Sequence, residues 1–207
     1  MDYKNFTIRM LVSLIFLTFY LLLILTNFKL IFFLIIAIYF LVIMEVIIYF
    51  KNKKLLILVY LILSFISIFN IQFENNYFFY FNLMIFIIII FDIFSYIVGA
   101  NIGKIKILKY ISPNKTLEGF IGGTLISFST SFVLLIIFDK NINLFSIFFI
   151  IIIILSSFIG DVIESYFKRT NNIKNSSNFL PGHGGFFDRF DSFIFAIVIY
   201  SLTYKLI

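Results

Sequence analysis

The residues most able to do chemistry are carboxylates placed where an apolar environment should exclude them. The chain has 207 residues and ten Asp and Glu. Asp2, Glu74 and Asp139 fall in short polar segments, but Glu45, Asp92, Asp161, Glu164, Asp188 and Asp191 fall inside long apolar runs or at their ends. An unpaired charge at the centre of a bilayer costs at least about 2.5–3.5 kcal/mol, so such groups must be neutralised by something. On a helix, residues three, four or seven apart share a face. Asp161, Glu164, Ser165 and Lys168 form one such stripe, and Asp188 and Asp191 form another. Two acidic stripes flanked by Lys168, Arg169 and Arg189 suit a divalent cation together with phosphates, because hard oxygen ligands favour Mg²⁺ and Mg²⁺ is usually shared with substrate phosphates. Interhelical ion pairs, such as Glu164 with Lys168, are the plainer alternative, and Glu45, alone in its run, fits that alternative best.

The elements that must position these groups are membrane helices. Hydrophobic residues make up 62% of the chain and charged residues 13%, against about 45–50% and 25% in a soluble domain. More apolar surface is present than one compact core could bury, so the bilayer must act as solvent. No cysteine is present, which excludes thiol nucleophiles, thiolate metal sites and disulfides. A crossing needs about 20 mostly apolar residues. Seven runs qualify, over residues 8–26, 28–50, 54–70, 77–100, 119–138, 143–167 and 187–206, so the expected architecture is all-α and polytopic. The whole of 1–207 reads as a single transmembrane domain, with N-terminal helices over 1–76 and catalytic helices and loops over 77–207.

Seven crossings divide the polar segments into two sets. One set holds Lys4 and Arg9; Lys51, Lys53 and Lys54; Lys104, Lys106, Lys109 and Lys115; and Lys168, Arg169, Lys174 and Arg189, while the other holds only Lys29, Lys140 and Lys205. The positive-inside rule then places the N-terminus and both long loops in the cytoplasm. Asp92, Asp161, Glu164, Asp188 and Asp191 all come to the cytoplasmic ends of their helices on that topology.

Two loops join those helices. Residues 99–119 end in Ser112-Pro-Asn-Lys-Thr-Leu-Glu-Gly119. Ser112 or Thr116 can cap the following helix, Pro113 suits its first turn and Glu118 complements its positive end. Lys115 and Thr116 would then offer an anion a cation, a hydroxyl and free N–H groups. Gly103, Gly119, Gly122 and Gly123 could likewise serve close helix packing. The second loop, between Ser165 and Asp191, gathers the chain's one His and its second Pro just ahead of two carboxylates. Gly182, Gly184 and Gly185 allow close backbone approach to a ligand, and His183 can donate to a phosphate or move a proton near neutral pH.

Read in order, these loops resemble phosphatidate cytidylyltransferases (CDP-diacylglycerol synthases). Ser165, Lys168, Arg169, Pro181, His183, Gly184, Gly185, Asp188, Arg189 and Asp191 are similar to that family's Ser-x-x-Lys-Arg and Pro-x-His-Gly-Gly-x-x-Asp-Arg-x-Asp elements. Gly160-Asp161 with Glu164-Ser165, the 112–119 stretch, and Asp92 with Tyr96, Gly99 and Gly103-Lys104 resemble its upstream segments, so the likeness covers residues 92–192. Asn175 stands where the family usually has Asp, Leu117 where it has Trp, and Ser95 where it has Ala.

The resemblance implies transfer of CMP from CTP to phosphatidate, giving CDP-diacylglycerol and pyrophosphate. It implies metal binding by Asp161, Asp188 and Asp191, and catalysis by Asp161, Asp188, Lys168, Arg169 and His183. Substrate contacts would come from Ser112, Lys115, Thr116, Glu118, Glu164, Ser165, Gly184, Gly185, Arg189 and Asp92. The implied cofactor is Mg²⁺, with a second cation such as K⁺ allowed; the partners are CTP, phosphatidate and membrane lipids, without nucleic acid and with a homodimer allowed. The expected location is a bacterial cytoplasmic membrane, with the site on its cytoplasmic side. A related CTP-dependent enzyme acting on an ether lipid or a polyprenol is the near alternative. A transporter is the distant one, and it predicts charges at mid-membrane and discontinuous spans in related halves, whereas these charges gather toward one face.

Overall fold

The structure, a computed structural model, describes residues 3–74, 77–180 and 184–206, with side chains from residue 14 onward. The described residues form α1 (Tyr3–Thr26), α2 (Leu30–Tyr49), α3 (Lys54–Ile68), α4 (Phe78–Ile102), α5 (Leu117–Ile137), α6 (Leu144–Thr170) and α7 (Phe187–Thr203), closed by a 3-10 turn at Tyr204–Leu206. The architecture is all-α, as the apolar runs require. Among the described residues four helices, α2, α4, α5 and α6, are long and apolar enough to cross a membrane, which makes this an integral membrane protein. At 15 and 17 residues, α3 and α7 are shorter than a full crossing. Large apolar side chains stand outward along these helices, Leu55 at 77% exposure and Leu125 at 62%, a surface that lipid covers and water would not tolerate.

One addition to the helices was not expected. β1 (Lys106–Leu108) and β2 (Ser112–Thr116) form an antiparallel hairpin, with Lys106 opposite Thr116 and Leu108 opposite Ser112. Ser112 and Pro113 therefore belong to a strand and not to a helix start. A two-stranded hairpin has only edge strands, where Pro is tolerated.

The chain forms two compact units. The first comprises Met1–Phe78 with Phe167–Phe190, the second Phe79–Tyr166 with Asp191–Ile207. In the first, α2 buries Ile31, Ile35, Ile38, Tyr39, Val42, Glu45 and Val46, a stripe at helical spacing, and α3 buries Ile57, Leu61, Ser64 and Ile68. Tyr39 Oη donates to Ser64 Oγ at 3.0 Å within this core. The turn between α2 and α3 is tied to the end of α6: Asn171 Oδ1 accepts from the N–H groups of Lys51 at 2.8 Å and Asn52 at 2.7 Å, and Asn52 Nδ2 donates to the Thr170 carbonyl at 2.9 Å.

The second unit packs through small residues. Gly119 and Gly123 lie against the backbone of α4: a Cβ at Gly119 would meet the Ser95 carbonyl at 2.5 Å, and one at Gly123 the Ser95 nitrogen at 3.0 Å. Gly160 of α6 approaches α7 as closely, since its Cβ would meet the Asp191 carbonyl at 2.6 Å. The buried hydroxyls of Ser127 and Ser156 are satisfied locally, Ser127 Oγ donating to the Gly123 carbonyl and Ser156 Oγ to the Ile152 carbonyl, each at 2.7 Å. Ser192 Oγ of α7 donates across to the Ser157 carbonyl of α6 at 3.1 Å. Such contacts let helices approach closely where lipid supplies no hydrophobic drive between them.

Candidate active site

In the second unit the 99–119 loop delivers Lys115. Thr116 is the N-cap of α5, extended in backbone, with its Oγ1 accepting from Gly119 N–H at 3.1 Å. Of the two capping residues the sequence allows, Thr116 therefore does the capping. Glu118, in the first turn, reaches back so that both carboxylate oxygens accept from Ile105 N–H at 3.2 Å. The Leu117 N–H donates to the Ile105 carbonyl at 2.8 Å, closing the base of the hairpin. Lys115 leaves β2 with its Nζ 2.6 Å from Asp161 Oδ2 and 4.7 Å from the centre of the Phe158 ring. Asp161 Oδ1 accepts from Ser165 Oγ at 3.4 Å, one helical turn on along α6. Asp92 Oδ1 accepts from Ser157 Oγ at 3.3 Å. Glu164 is buried at 1% exposure, and Asp191 Oδ1 accepts from the Ser192 N–H at 2.8 Å.

The first unit holds the other half of the charged set. Lys168 Nζ, on the last turns of α6, lies 2.8 Å from Asp188 Oδ1. Asp188 Oδ2 accepts from Ser176 N–H at 2.8 Å, Ser176 Oγ at 3.0 Å and Gly185 N–H at 2.9 Å. The side chains of Lys168 and Asp188 are 18% and 9% exposed, so this ion pair is largely shielded from water. Gly184 has φ of +88°, a conformation that needs glycine, and its carbonyl accepts from Leu180 N–H at 2.8 Å. Arg169 and Arg189 are exposed at the ends of their helices. Pro181, Gly182 and His183 lie outside the described residues.

Glu45 is the residue that sequence reasoning misplaced. Fully buried in α2, it meets no lysine or arginine among the described residues. Its Oε1 accepts from Ser177 Oγ at 2.6 Å and Phe186 N–H at 2.7 Å. Its Oε2 accepts from Ser176 Oγ at 3.2 Å and Phe187 N–H at 2.9 Å. The interhelical ion pair expected for Glu45 is replaced by hydrogen bonds from Ser177 Oγ, Phe186 N–H and Phe187 N–H of the second loop, with the single Ser176 hydroxyl proton shared between Glu45 and Asp188. The paired serines at 176 and 177 were the available signal, being small donors in a loop that must face a buried acceptor.

Gly185 sits inside this network. A Cβ there would meet Glu45 Oε2 at 2.7 Å and Oε1 at 2.8 Å and would collide with Ser176 Oγ. Gly185→Ala is expected to destabilise the protein by about 1–3 kcal/mol, the usual cost of overpacking, read as a lowered Tm of the detergent-solubilised chain; an unchanged Tm would show that the loop yields.

Among the described residues no three Asp, Glu or His side chains converge as a ready-made metal site. Asp161 and Asp188 each hold a lysine ammonium against a carboxylate oxygen, at 2.6 and 2.8 Å, so each presents a hard, anionic donor already engaged by a cation. That donor chemistry fits Mg²⁺.

A model of the cytidylyltransferase family matches residues 2–207. The chain is also similar to enzymes named phosphatidate cytidylyltransferase: 48% identical over 113 residues to that of Staphylococcus saprophyticus, 46% over 113 residues to that of Staphylococcus haemolyticus and 44% over 113 residues to that of Staphylococcus aureus strain COL. Each match covers 54% of this chain and 43% of the relative, less than half of the relative's length.

Proposed function

Because this chain belongs to the cytidylyltransferase family, we propose that it transfers the cytidylyl group of CTP to phosphatidate, forming CDP-diacylglycerol and releasing pyrophosphate. The observation that carries this reading is the pair of lysine–aspartate contacts, Lys115 with Asp161 and Lys168 with Asp188. Each pair keeps a charged group tolerable in an apolar helix while no substrate is bound, and each can open to give an ammonium to a phosphate.

The phosphate monoester of the lipid is itself the nucleophile, so no enzyme Ser or Cys needs to attack. One of its oxygens bonds to the α-phosphorus of CTP while the bond from that phosphorus to the bridging oxygen breaks, and the electron pair leaves with pyrophosphate. Catalysis is then positioning and charge neutralisation. Lys115 and Lys168 serve as point-charge clamps on phosphate oxygens, and Arg169 and Arg189 as bidentate ones. His183, Gly184 and Gly185 complete the phosphate cradle, and Ser112, Thr116, Glu118, Glu164 and Ser165 support the substrate contacts. Asp161, Asp188 and Asp191 are assigned as oxygen ligands of Mg²⁺, which when bound supplies neutralisation of the triphosphate charge; Asp92 supports them. The lysine distribution supports an N-terminus and catalytic loops on the cytoplasmic side of a bacterial membrane, where CTP arrives from solution and phosphatidate from the leaflet.

The test is direct. Purified full chain, given Mg²⁺, phosphatidate and CTP labelled in the cytidine, should move label into the organic phase, and EDTA should stop it. Absence of lipid-soluble label with phosphatidate overturns the reading, and label appearing only with an ether lipid or a polyprenol moves the chain to that substrate class.

A further inference from the structure

We propose that Glu45, in the N-terminal helices, is the positioning residue for the loop that carries Asp188. The proposal rests on the transfer activity put forward above. Glu45 is fully buried in α2, and every hydrogen bond described for its carboxylate comes from the segment between Ser176 and Phe187. Ser176 Oγ stands between two carboxylates, 3.2 Å from Glu45 Oε2 and 3.0 Å from Asp188 Oδ2. Gly185 is held in the same way, its N–H on Asp188 at 2.9 Å and its α-carbon pressed so close to Glu45 that no Cβ fits. The two backbone donors, Phe186 N–H at 2.7 Å and Phe187 N–H at 2.9 Å, come from the start of α7, where N–H groups have no partner within the helix. Glu45 therefore caps α7 from another helix. It fixes where that helix begins, and with it the direction in which Asp188 meets Lys168.

The chemistry demands two acceptor oxygens. A glutamine has one, so its amide nitrogen must face either Phe186 N–H or Phe187 N–H. A serine hydroxyl can rotate to accept from that nitrogen, but a backbone N–H cannot. One end of the loop would be pushed away and Asp188 displaced with it. An aspartate keeps both oxygens on a shorter side chain, and so retains the bonding pattern at imperfect distances.

The experiment compares Glu45→Gln, Glu45→Asp and the wild type as full chains in detergent or bilayer. It measures cytidylyl transfer per folded molecule, KM for CTP, and hydrogen exchange of backbone amides between residues 176 and 188. Glu45→Gln is expected to lower kcat by about 100-fold, the loss that follows from a misplaced catalytic group, with KM for CTP little changed, faster exchange in the loop, and partial recovery of all three in Glu45→Asp. Wild-type kcat and exchange in Glu45→Gln would overturn the proposal. So would a loss explained wholly by less folded protein, with Glu45→Asp no better than Glu45→Gln. Should Glu45→Gln fail to insert, Ser177→Ala removes the 2.6 Å bond to Glu45 together with the 3.1 Å bond from Phe179 N–H to the same hydroxyl; a fall in kcat of about tenfold is expected, matching one hydrogen bond to a charged group, and unchanged turnover with unchanged exchange would overturn the proposal equally. If the wild type transfers no cytidylyl group to any lipid, the functional reading fails by itself, and the exchange measurement still decides whether Glu45 holds the loop.

Discussion

Asp188→Asn is expected to leave the protein in the membrane and to lower CTP-dependent product formation by about 1,000-fold or more, beyond the loss of a single electrostatic contact. The apolar run of α7 that follows is untouched, so insertion should persist. The site cannot adapt, however, because both oxygens of Asp188 are committed. Oδ1 faces Lys168 Nζ at 2.8 Å, and Oδ2 receives Ser176 N–H, Ser176 Oγ and Gly185 N–H at 2.8, 3.0 and 2.9 Å. If the asparagine nitrogen turns toward Lys168, an ammonium shielded from water meets a donor and loses its counter-charge. If it turns the other way, two backbone N–H groups meet a donor, and neither can be reversed. Removing one partner of a shielded charged pair costs far more than the pair contributes, since the remaining charge stays uncompensated. On the proposed function the same substitution deprives Mg²⁺ of a ligand. Measurement of kcat and KM for CTP on membrane-inserted protein checks this, and near-normal turnover would remove Asp188 from the chemistry. Glu45→Gln should be milder, since it displaces Asp188 and leaves its charge in place.

The helices were legible in the sequence because lipid imposes one rule on a run of residues. The expected spans over 28–50 and 54–70 correspond to Leu30–Tyr49 and Lys54–Ile68, and the excess at the ends is chain leaving the helix in its connecting turns. Lys53, in the left-handed conformation with φ of 54°, marks one such turn. The β1–β2 hairpin was missed because Ser-Pro-Asn-Lys-Thr carries the residues of a helix start. The better signal lay just before it, in the alternation of Lys104, Ile105, Lys106 and Ile107, whose period of two belongs to a strand. The stripe of Asp161, Glu164, Ser165 and Lys168 was readable because α6 is one unbroken helix. The partners of those residues were less so: that Lys115 meets Asp161 follows from the fold of the hairpin, which no spacing encodes. Glu45 was the least legible, since its partners lie 131 to 142 residues further along the chain. One acid in an apolar span says that a partner must exist without saying which.

These contacts share an arrangement that follows from the cost of charge in lipid. Lys115 answers Asp161, Lys168 answers Asp188, and hydroxyl and N–H donors answer Glu45. Among the described residues Glu45 has no cation beside it that a phosphate could take away, which suits a permanent anchor. The two aspartates do have one, which suits a site that must exchange its partners at each turnover.

That difference makes Lys115→Met the sharpest test of the second unit, with an expected fall in kcat/KM for CTP of about 100- to 1,000-fold, the effect of losing one preorganised charge on the reacting phosphates. Methionine keeps an apolar stem against the Phe158 ring, which lies 4.7 Å from the ammonium, so the loss reports the charge more than the packing. Lys115 has two separable roles. It neutralises Asp161, whose side chain is 31% exposed and 2.6 Å away, and on the proposed function it passes to a phosphate when CTP binds. Without it, the Asp161 carboxylate loses its counter-charge, so Lys115→Met should also lower Tm. Adding Asp161→Asn removes that uncompensated charge, and the double variant should recover much of the lost Tm, because two neutral groups need no counter-charge. Its turnover should stay at the level of the lower single variant, because neither the phosphate clamp nor the metal ligand has been restored. Lys115→Arg, which keeps the charge but replaces a compact ammonium with a broad planar fork, should fall between wild type and Lys115→Met. Full activity in Lys115→Met, or recovery of turnover together with Tm in the double variant, would reduce Lys115 to a structural counter-ion and leave the phosphates to Lys168 and the two arginines.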